Sequence, residues 1–231
     1  MKDQEKDPWS SFDFSKYSKH NQSINAIKFY YEVVKGMPNR FYSIERPIPK
    51  ETLPKVLSKE QVHKMITSVK NIKHKCIISL LYSAGLRRGE LLNLKIDDII
   101  SDRMLIRINQ GKGRKDRYTL LSERVLSNLR IYYIRERPST YLFEGKKGFP
   151  YSPTSVAKIV KKAASRARII GRVTPHMLRH SLATHLLENG TDLRQIQTLL
   201  GHNSLRTTEI YTHVTVQGMN SIKNPLDLML T

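Results

Sequence analysis

PHMLRHSLATHLLENGTDLRQIQTLLGHNSLRTTEIYTHV, residues 175–214, contains the pattern from which the rest of the chain can be read. Thr174-Pro175 gives a helix start, with a capping hydroxyl followed by a proline at the first helical position. That helix is expected to run to about Asn189 and to end at Gly190. A second helix is expected from about Asp192 to Leu200, ended by Gly201, and a last helical segment from about Ser204 to Thr212. Leu178, Leu182 and Leu186 form a core-facing stripe on the first of these helices. His176 and Arg179 lie three apart in its first turn and share a face. The free N–H groups of that turn and the helix dipole favour an anion there, and an arginine fork suits a phosphate. An isolated His-x-x-Arg describes a solvated surface helix equally well. His176 and His180 also have metal-ligand spacing. However, no Glu lies between them and no cysteine pair or acidic cluster adds ligands, so no metal is expected. Taken alone, His202 reads as a loop residue and Tyr211 as a packed aromatic.

Upstream, Ser58 and Gln61 have capping-box spacing and start a helix. CIISLLYSAG (76–85) reads as a buried helix ending near Gly85, and RRGELLNL (87–94) as a short one, with Glu90 placed to brace Arg87. MLIRINQ (104–110) and DRYTLL (116–121) alternate at Met104, Ile106, Ile108 and at Tyr118, Leu120. They flank a glycine-containing turn, so the stretch reads as a β-hairpin with Gly111-Lys112-Gly113 at its tip. Helices are expected from Ser122 to Arg137 and over 153–168, the latter with Lys158, Lys162 and Arg166 on one stripe. Residues 58–216 thus read as one domain, mainly α with a small antiparallel β-sheet. Before it, residues 1–21 are polar and expected to be poorly ordered. A helix over 23–35 within residues 22–36 has Ser23 as cap, Gly36 as stop and an apolar side of Ile27, Tyr30, Tyr31 and Val34. Residues 37–57 hold Pro38, Pro47, Pro49 and Pro54 and read as a linker. Residues 217–231 form a tail carrying Leu226, Leu228, Met229 and Leu230.

The chain has 231 residues, with 40 Lys+Arg against 20 Asp+Glu and a net charge of +20. Residues 1–50 account for +3 of this and the remainder for +17. Such an excess opposes folding by self-repulsion, and a polyanionic partner, most commonly nucleic acid, explains it. No apolar run approaches the roughly 18 residues of a membrane span, and the N-terminus lacks the apolar stretch of a secretory signal. The single cysteine, Cys76, cannot form an internal disulfide and lies in an apolar run. A cytoplasmic protein without membrane contact is expected.

Four pieces occur in a fixed order: Arg87 in G-L-R-x-x-E-L, Lys112 in a G-K-G hairpin, H-x-x-R-H at 176–180, and L-L-G-H ending at His202 with Tyr211 nine residues later. This order resembles the tyrosine recombinase (phage integrase) family. Residues 175–214 are especially similar to its Xer and integron-integrase branch, and the resemblance covers about residues 50–225. It implies the tyrosine recombinase catalytic-domain fold and a site-specific recombinase acting on duplex DNA. In that reading Tyr211 forms a 3′-phosphotyrosyl link and a freed 5′-hydroxyl later reverses the step. Arg87 and Arg179 hold the non-bridging phosphate oxygens, and His202 donates a further hydrogen bond. His176 assists proton removal from Tyr211, Lys112 protonates the leaving 5′-oxygen, and Glu90 orients Arg87. Lys158, Lys162 and Arg166 resemble the family's DNA-facing helix. No cofactor, metal or ATP is implied.

The resemblance also implies a homo- or hetero-oligomer on DNA, a tetramer, with the tail docking on a neighbouring subunit; folding onto its own domain is the other option for that tail. Family members usually carry a helical core-binding domain of about a hundred residues first. Here only the 23–35 helix resembles its last helix, so that domain reads as truncated. Two alternatives follow: a DNA-binding module that keeps the fold without recombining, and a topoisomerase-like nicking and rejoining enzyme.

Overall fold

The computed structural model describes residues 17–37, 54–109, 116–202 and 204–212. The chain divides into two compact units, Met1–Thr52 and Leu53–Thr231. In the first unit, α1 (Tyr17–Phe29) passes directly into a π-helical turn at Tyr30–Val34. The helix therefore starts six residues before the expected cap, and Ser23 lies inside it. Nothing in YSKHNQ (17–22) is a helix breaker, so the local sequence tolerates the extension. Gly36 takes the left-handed conformation expected of a helix stop, with φ +60°. Residues 1–16, most of the segment expected to be poorly ordered, and the linker residues 38–53 lie outside the described residues.

The second unit opens with Leu57, which is buried and whose N–H donates to Ser181 Oγ. The segment read as linker thus ends inside the core. Ser58 caps α2 (Lys59–Thr67): its side chain accepts from Gln61 N–H, and the Gln61 side chain accepts from Ser58 N–H. Asn71 caps α3 (Ile72–Ser83), which contacts α2, α4 (Arg88–Asn93), α5 (Glu123–Glu136), α6 (Pro153–Arg166) and α7 (Pro175–Glu188). A helix with neighbours on all sides must be apolar all round, which accounts for CIISLLY. Cys76 is buried there, and burial pushes its thiol up to about 12. No helix among the described residues is long and apolar enough to cross a membrane.

The antiparallel sheet has the order β1 (Ile99–Ile100), β2 (Leu105–Ile108), β3 (Arg117–Leu120), with Ile106 opposite Thr119. The two-residue β1 leaves no readable alternation, and the sequence did not suggest it. Ile106 and Ile108 point into the core as expected. On β3 the apolar positions face outward instead: Tyr118 is 55% and Leu120 49% exposed, while Thr119 is buried. Thr119 can occupy the core face because its hydroxyl donates to the Ala84 carbonyl, so no polar group is left unpaired. The hairpin tip at 110–115, Lys112 included, lies outside the described residues.

Beyond the sheet, Thr174 caps α7, its side chain accepting from Met177 N–H. Asp192 caps α8 (Leu193–Leu200) by accepting from the N–H groups of Arg194 and Gln195. The last helix, α9, covers only Arg206–Glu209, shorter than the expected 204–212. Turn hydrogen bonds carry the chain on from it to Tyr211 and Thr212.

Gly85 joins α3 to α4 at φ +59°, and a Cβ there would lie 2.7 Å from Leu200 Cδ2 and 2.9 Å from Leu182 Cδ2. This close approach packs the end of α3 against α7 and α8. Gly85→Ala is expected to lower stability by about 2–4 kcal/mol, combining backbone strain with overpacking. Gly148→Ala has a similar φ of +78° but open space around it. It should cost only the strain, about 1 kcal/mol. Urea midpoints measure both; equal losses would contradict the close approach.

Candidate active site

The last carbonyls of an α-helix lack intrahelical partners and carry the negative end of its dipole. At the end of α8, three successive carbonyls each accept from a different arginine. Leu199 O accepts from Arg117 Nε at 3.1 Å, Leu200 O from Arg179 Nη2, and Gly201 O from Arg87 Nη2 at 2.9 Å. Gly201 makes this geometry possible. It sits at φ +63°, and a Cβ on it would lie 2.8 Å from Arg117 Cδ.

Glu90 ties the same arginines together from the other side. Its Oε1 accepts from Arg87 Nη1 at 2.7 Å and from Arg117 Nη1 at 2.8 Å. Its Oε2 accepts from Arg117 Nη2 and from the Arg87 N–H, each at 2.8 Å, and lies 3.9 Å from Arg179 Nη1. Burial alone pushes this carboxyl up, but the hydrogen bonds and charge of Arg117, followed by Arg87, outweigh it and hold the pKa at about 2. Arg179 is 1% exposed. Its Nη1 also donates to the Gly85 carbonyl, while its Nε is buried with no hydrogen-bond partner among the described residues. Burial, and then Arg87, lower its pKa to about 10, so it stays positive at neutral pH. Three guanidinium groups against one carboxylate leave two positive charges in excess, a setting suited to a phosphate.

Beside this shelf stands a stack of neutral rings. Tyr211 is 1% exposed and packs with Leu182, Ala183, Ile196 and Leu200. Its hydroxyl lies 2.9 Å from His180 Nδ1, and its ring stacks on His202 with centroids 6.3 Å apart. His202 Nδ1 is 2.9 Å from Thr208 Oγ1, which fixes the imidazole. His176 meets His180 edge-on at 4.2 Å between centroids. Burial pushes the Tyr211 phenol up, opposed by the charges of Arg179 and Arg87. Burial first, and neighbouring positive groups next, lower His180 to about 4 and His202 to about 3.

The structure therefore brings Arg87, Glu90, Arg179, His176, His202 and Tyr211 into one neighbourhood. Lys112 lies outside the described residues. Lys158, Lys162 and Arg166 are exposed along the outer face of α6, whose inner face is Val156, Ile159, Val160, Ala163 and Ala164. Two members were missed by sequence reasoning. Arg117 lies on β3, and its partner Glu90 is 27 residues away, so no local spacing announces it. His180 was weighed only as a metal ligand, although its place one turn after His176 puts it on the same face. Among the described residues, no group of three or more His, Cys, Asp or Glu side chains could hold a metal ion.

The unfolded chain takes up protons at His180 and His202 more readily than the folded one. Folding stability should therefore fall as pH drops from 6.5 toward about 4 and then 3. Glu90 adds to this below its ordinary value of 4.5, with its contribution lost as pH approaches 2. Urea midpoints across pH 3–7 measure this, and His202→Gln should flatten the upper part of the slope. A midpoint that stays constant from pH 7 to 4 would contradict the buried neutral imidazoles.

Residues 55–217 match the model of the phage integrase family. A putative integrase/recombinase, y4qK of Sinorhizobium fredii, is 40% identical over 211 residues, covering 90% of this chain and 68% of the relative. Tyrosine recombinase XerA of Pyrococcus horikoshii is 40% identical over 203 residues, covering 86% of this chain and 70% of that protein. Among solved structures, that of XerA recombinase superposes with a TM-score of 0.67 at 32% identity, covering 90% of this chain and 76% of that one. The XerH site-specific recombinase bound to palindromic difH substrate, a post-cleavage complex, gives a TM-score of 0.74 at 26% identity, covering 88% and 65%. With the motifs matched in order and the fold shared, the chain belongs to the phage integrase family of tyrosine recombinases, on its Xer-like branch.

Proposed function

We propose that this protein is a site-specific DNA recombinase that cleaves and rejoins duplex DNA through a 3′-phosphotyrosyl intermediate on Tyr211. The observation that carries the reading is the convergence of Arg87 and Arg179 at the end of α8, beside a phenol hydrogen-bonded to a neutral imidazole. The phosphodiester gains negative charge as the nucleophile arrives. Arg87 and Arg179 donate to its non-bridging oxygens, and two of the five N–H donors of Arg179 are spent on the Gly85 and Leu200 carbonyls. His202, neutral at pH 7, donates a further hydrogen bond. Glu90 orients Arg87, and Lys112 protonates the leaving 5′-oxygen. The covalent link conserves the energy of the broken bond, and the guanidinium groups supply the positive charge. The proposed steps thus draw on neither a metal ion nor ATP.

Residues 58–216 act as the catalytic unit in this reading, and the helix within 22–36 as part of a core-binding segment. Lys158, Lys162 and Arg166 face the duplex, where they contact phosphates. The XerH structure holds its DNA substrate, and the net charge of +20 favours the same polyanion here. The working form is a tetramer on DNA in which the 217–231 tail docks on a neighbour, and the protein works in the cytoplasm, where that DNA is found.

A nicked suicide duplex tests the chemistry, because a catalyst becomes trapped on it covalently. The parent chain should be trapped, and Tyr211→Phe should abolish trapping while binding duplex with affinity close to the parent's. Trapping of Tyr211→Phe at the parent level removes the nucleophile assignment. A parent that binds but is never trapped is a DNA-binding module. One that is trapped and relaxes a two-site plasmid without exchanging its sites is a topoisomerase-like enzyme.

The acid is tested separately. Lys112→Ala should slow cleavage by about 100-fold or more. A 5′-bridging thiolate, a leaving group that needs little protonation, should restore most of that rate. Absence of restoration takes Lys112 out of the acid role.

A further inference from the structure

The family pattern gives the proton of the tyrosine hydroxyl to the histidine of H-x-x-R, here His176. The hydrogen bond to that hydroxyl is instead made one turn later on α7: His180 Nδ1 lies 2.9 Å from Tyr211 Oη, with ring centroids 5.5 Å apart. His176 touches the His180 ring edge-on rather than standing in its place. We propose that His180 is a catalytic residue, the proton acceptor for Tyr211 during strand cleavage, and that His176 positions its ring. This rests on Tyr211 being the nucleophile. As Oη bonds to phosphorus, its O–H bond breaks and the proton passes to His180 Nδ1. The bond from phosphorus to the 5′-oxygen breaks with its electron pair, and that oxygen takes a proton from Lys112. Rejoining runs the same transfers backwards.

The surroundings of His180 suit the role. To accept, the imidazole must be neutral with Nδ1 bare and its proton on Nε2. Half-burial and the positive field of Arg179 keep it neutral at pH 7. The groups facing it are His176 and Arg179 from its own helix, Tyr211 from beyond α9, and His202 from the turn after α8. In the protein alone this imidazole is a weak base beside a phenol whose pKa burial has raised, so the tyrosine keeps its proton. A phosphate held by Arg87 and Arg179 adds negative charge where Arg179 disfavours an imidazolium. The base therefore gains strength when the substrate phosphate is in place.

Single-turnover cleavage of the suicide duplex tests this with His180→Asn, whose amide can accept the phenol's hydrogen bond but cannot take up its proton. The variant should fold and bind duplex as the parent does, yet cleave about 100- to 10,000-fold more slowly. A 5′-bridging thiolate should leave that defect in place, unlike the defect of Lys112→Ala. In His180→Gly, added imidazoles should restore rate in proportion to their basicity, a dependence that mere repacking would not produce. His180→Gln repeats the comparison if the Asn variant fails to fold. The assignment is overturned by a His180→Asn rate within threefold of the parent, by repair with the thiolate, or by a larger loss in His176→Gln than in His180→Asn. A parent chain that is never trapped overturns the recombinase reading itself, which separates the two failures.

Discussion

Three guanidinium groups end on three consecutive carbonyls at one helix terminus, and the rest of the site among the described residues is arranged around that. Leu199, Leu200 and Gly201 offer carbonyls that no later turn of α8 can satisfy. Arg117 arrives from the sheet, Arg179 from α7 and Arg87 from the start of α4. Charge-assisted hydrogen bonds of this kind contribute about 1.5–3 kcal/mol each, and buried charges without such partners are expensive. Glu90 lets the three cations stand close together, since it offsets part of their mutual repulsion. Two glycines set the geometry: Gly201 leaves room for Arg117, and Gly85 lets α3 close on α7 and α8.

The cationic shelf also sets the chemistry of the rings beside it. Arg179 and Arg87 pull the Tyr211 phenol toward ionisation while burial pushes the other way. Burial first, and then the same arginines, keep His202 neutral; burial, then His176 and Arg179, keep His180 neutral. The neighbours of the Tyr211 hydroxyl are thus uncharged hydrogen-bonding groups, and positive charge is concentrated on the shelf beside it. A cationic shelf and a set of neutral rings adjoin, each shaped by the field of the other.

Much of this was legible in the residues. Caps announced α2 and α7 because Ser58 and Thr174 act within three residues of themselves, and Gly201 marked the end of α8. Arg87, Glu90, His176, Arg179, His202 and Tyr211 stood out through the order of their motifs. What stayed hidden depends on long-range pairing. Arg117 looks like any strand arginine until Glu90 folds against it. The alternation in DRYTLL marked a strand but not which face is buried, because the deciding contact is Thr119 with Ala84 on another element. The two residues of β1 are too few to show a period. The early start of α1 was missed because polar residues fit a helix and a disordered tail equally well. His180 was overlooked because its spacing suggested metal ligation, whereas its partner is a side chain 31 residues away.

The proposed nucleophile lies just beyond a four-residue helix, too short to persist by its own hydrogen bonds. Tyr211 is kept in place by apolar packing, two ring contacts and a single hydroxyl bond. The arginines, by contrast, come from a fourteen-residue helix, the start of a short helix and a strand, drawn together around a shared carboxylate. None of the arginines' bonds to Glu90 or to the α8 carbonyls passes through Tyr211, so loosening the aromatic would leave the cationic shelf standing, and the two halves of the site can rearrange independently.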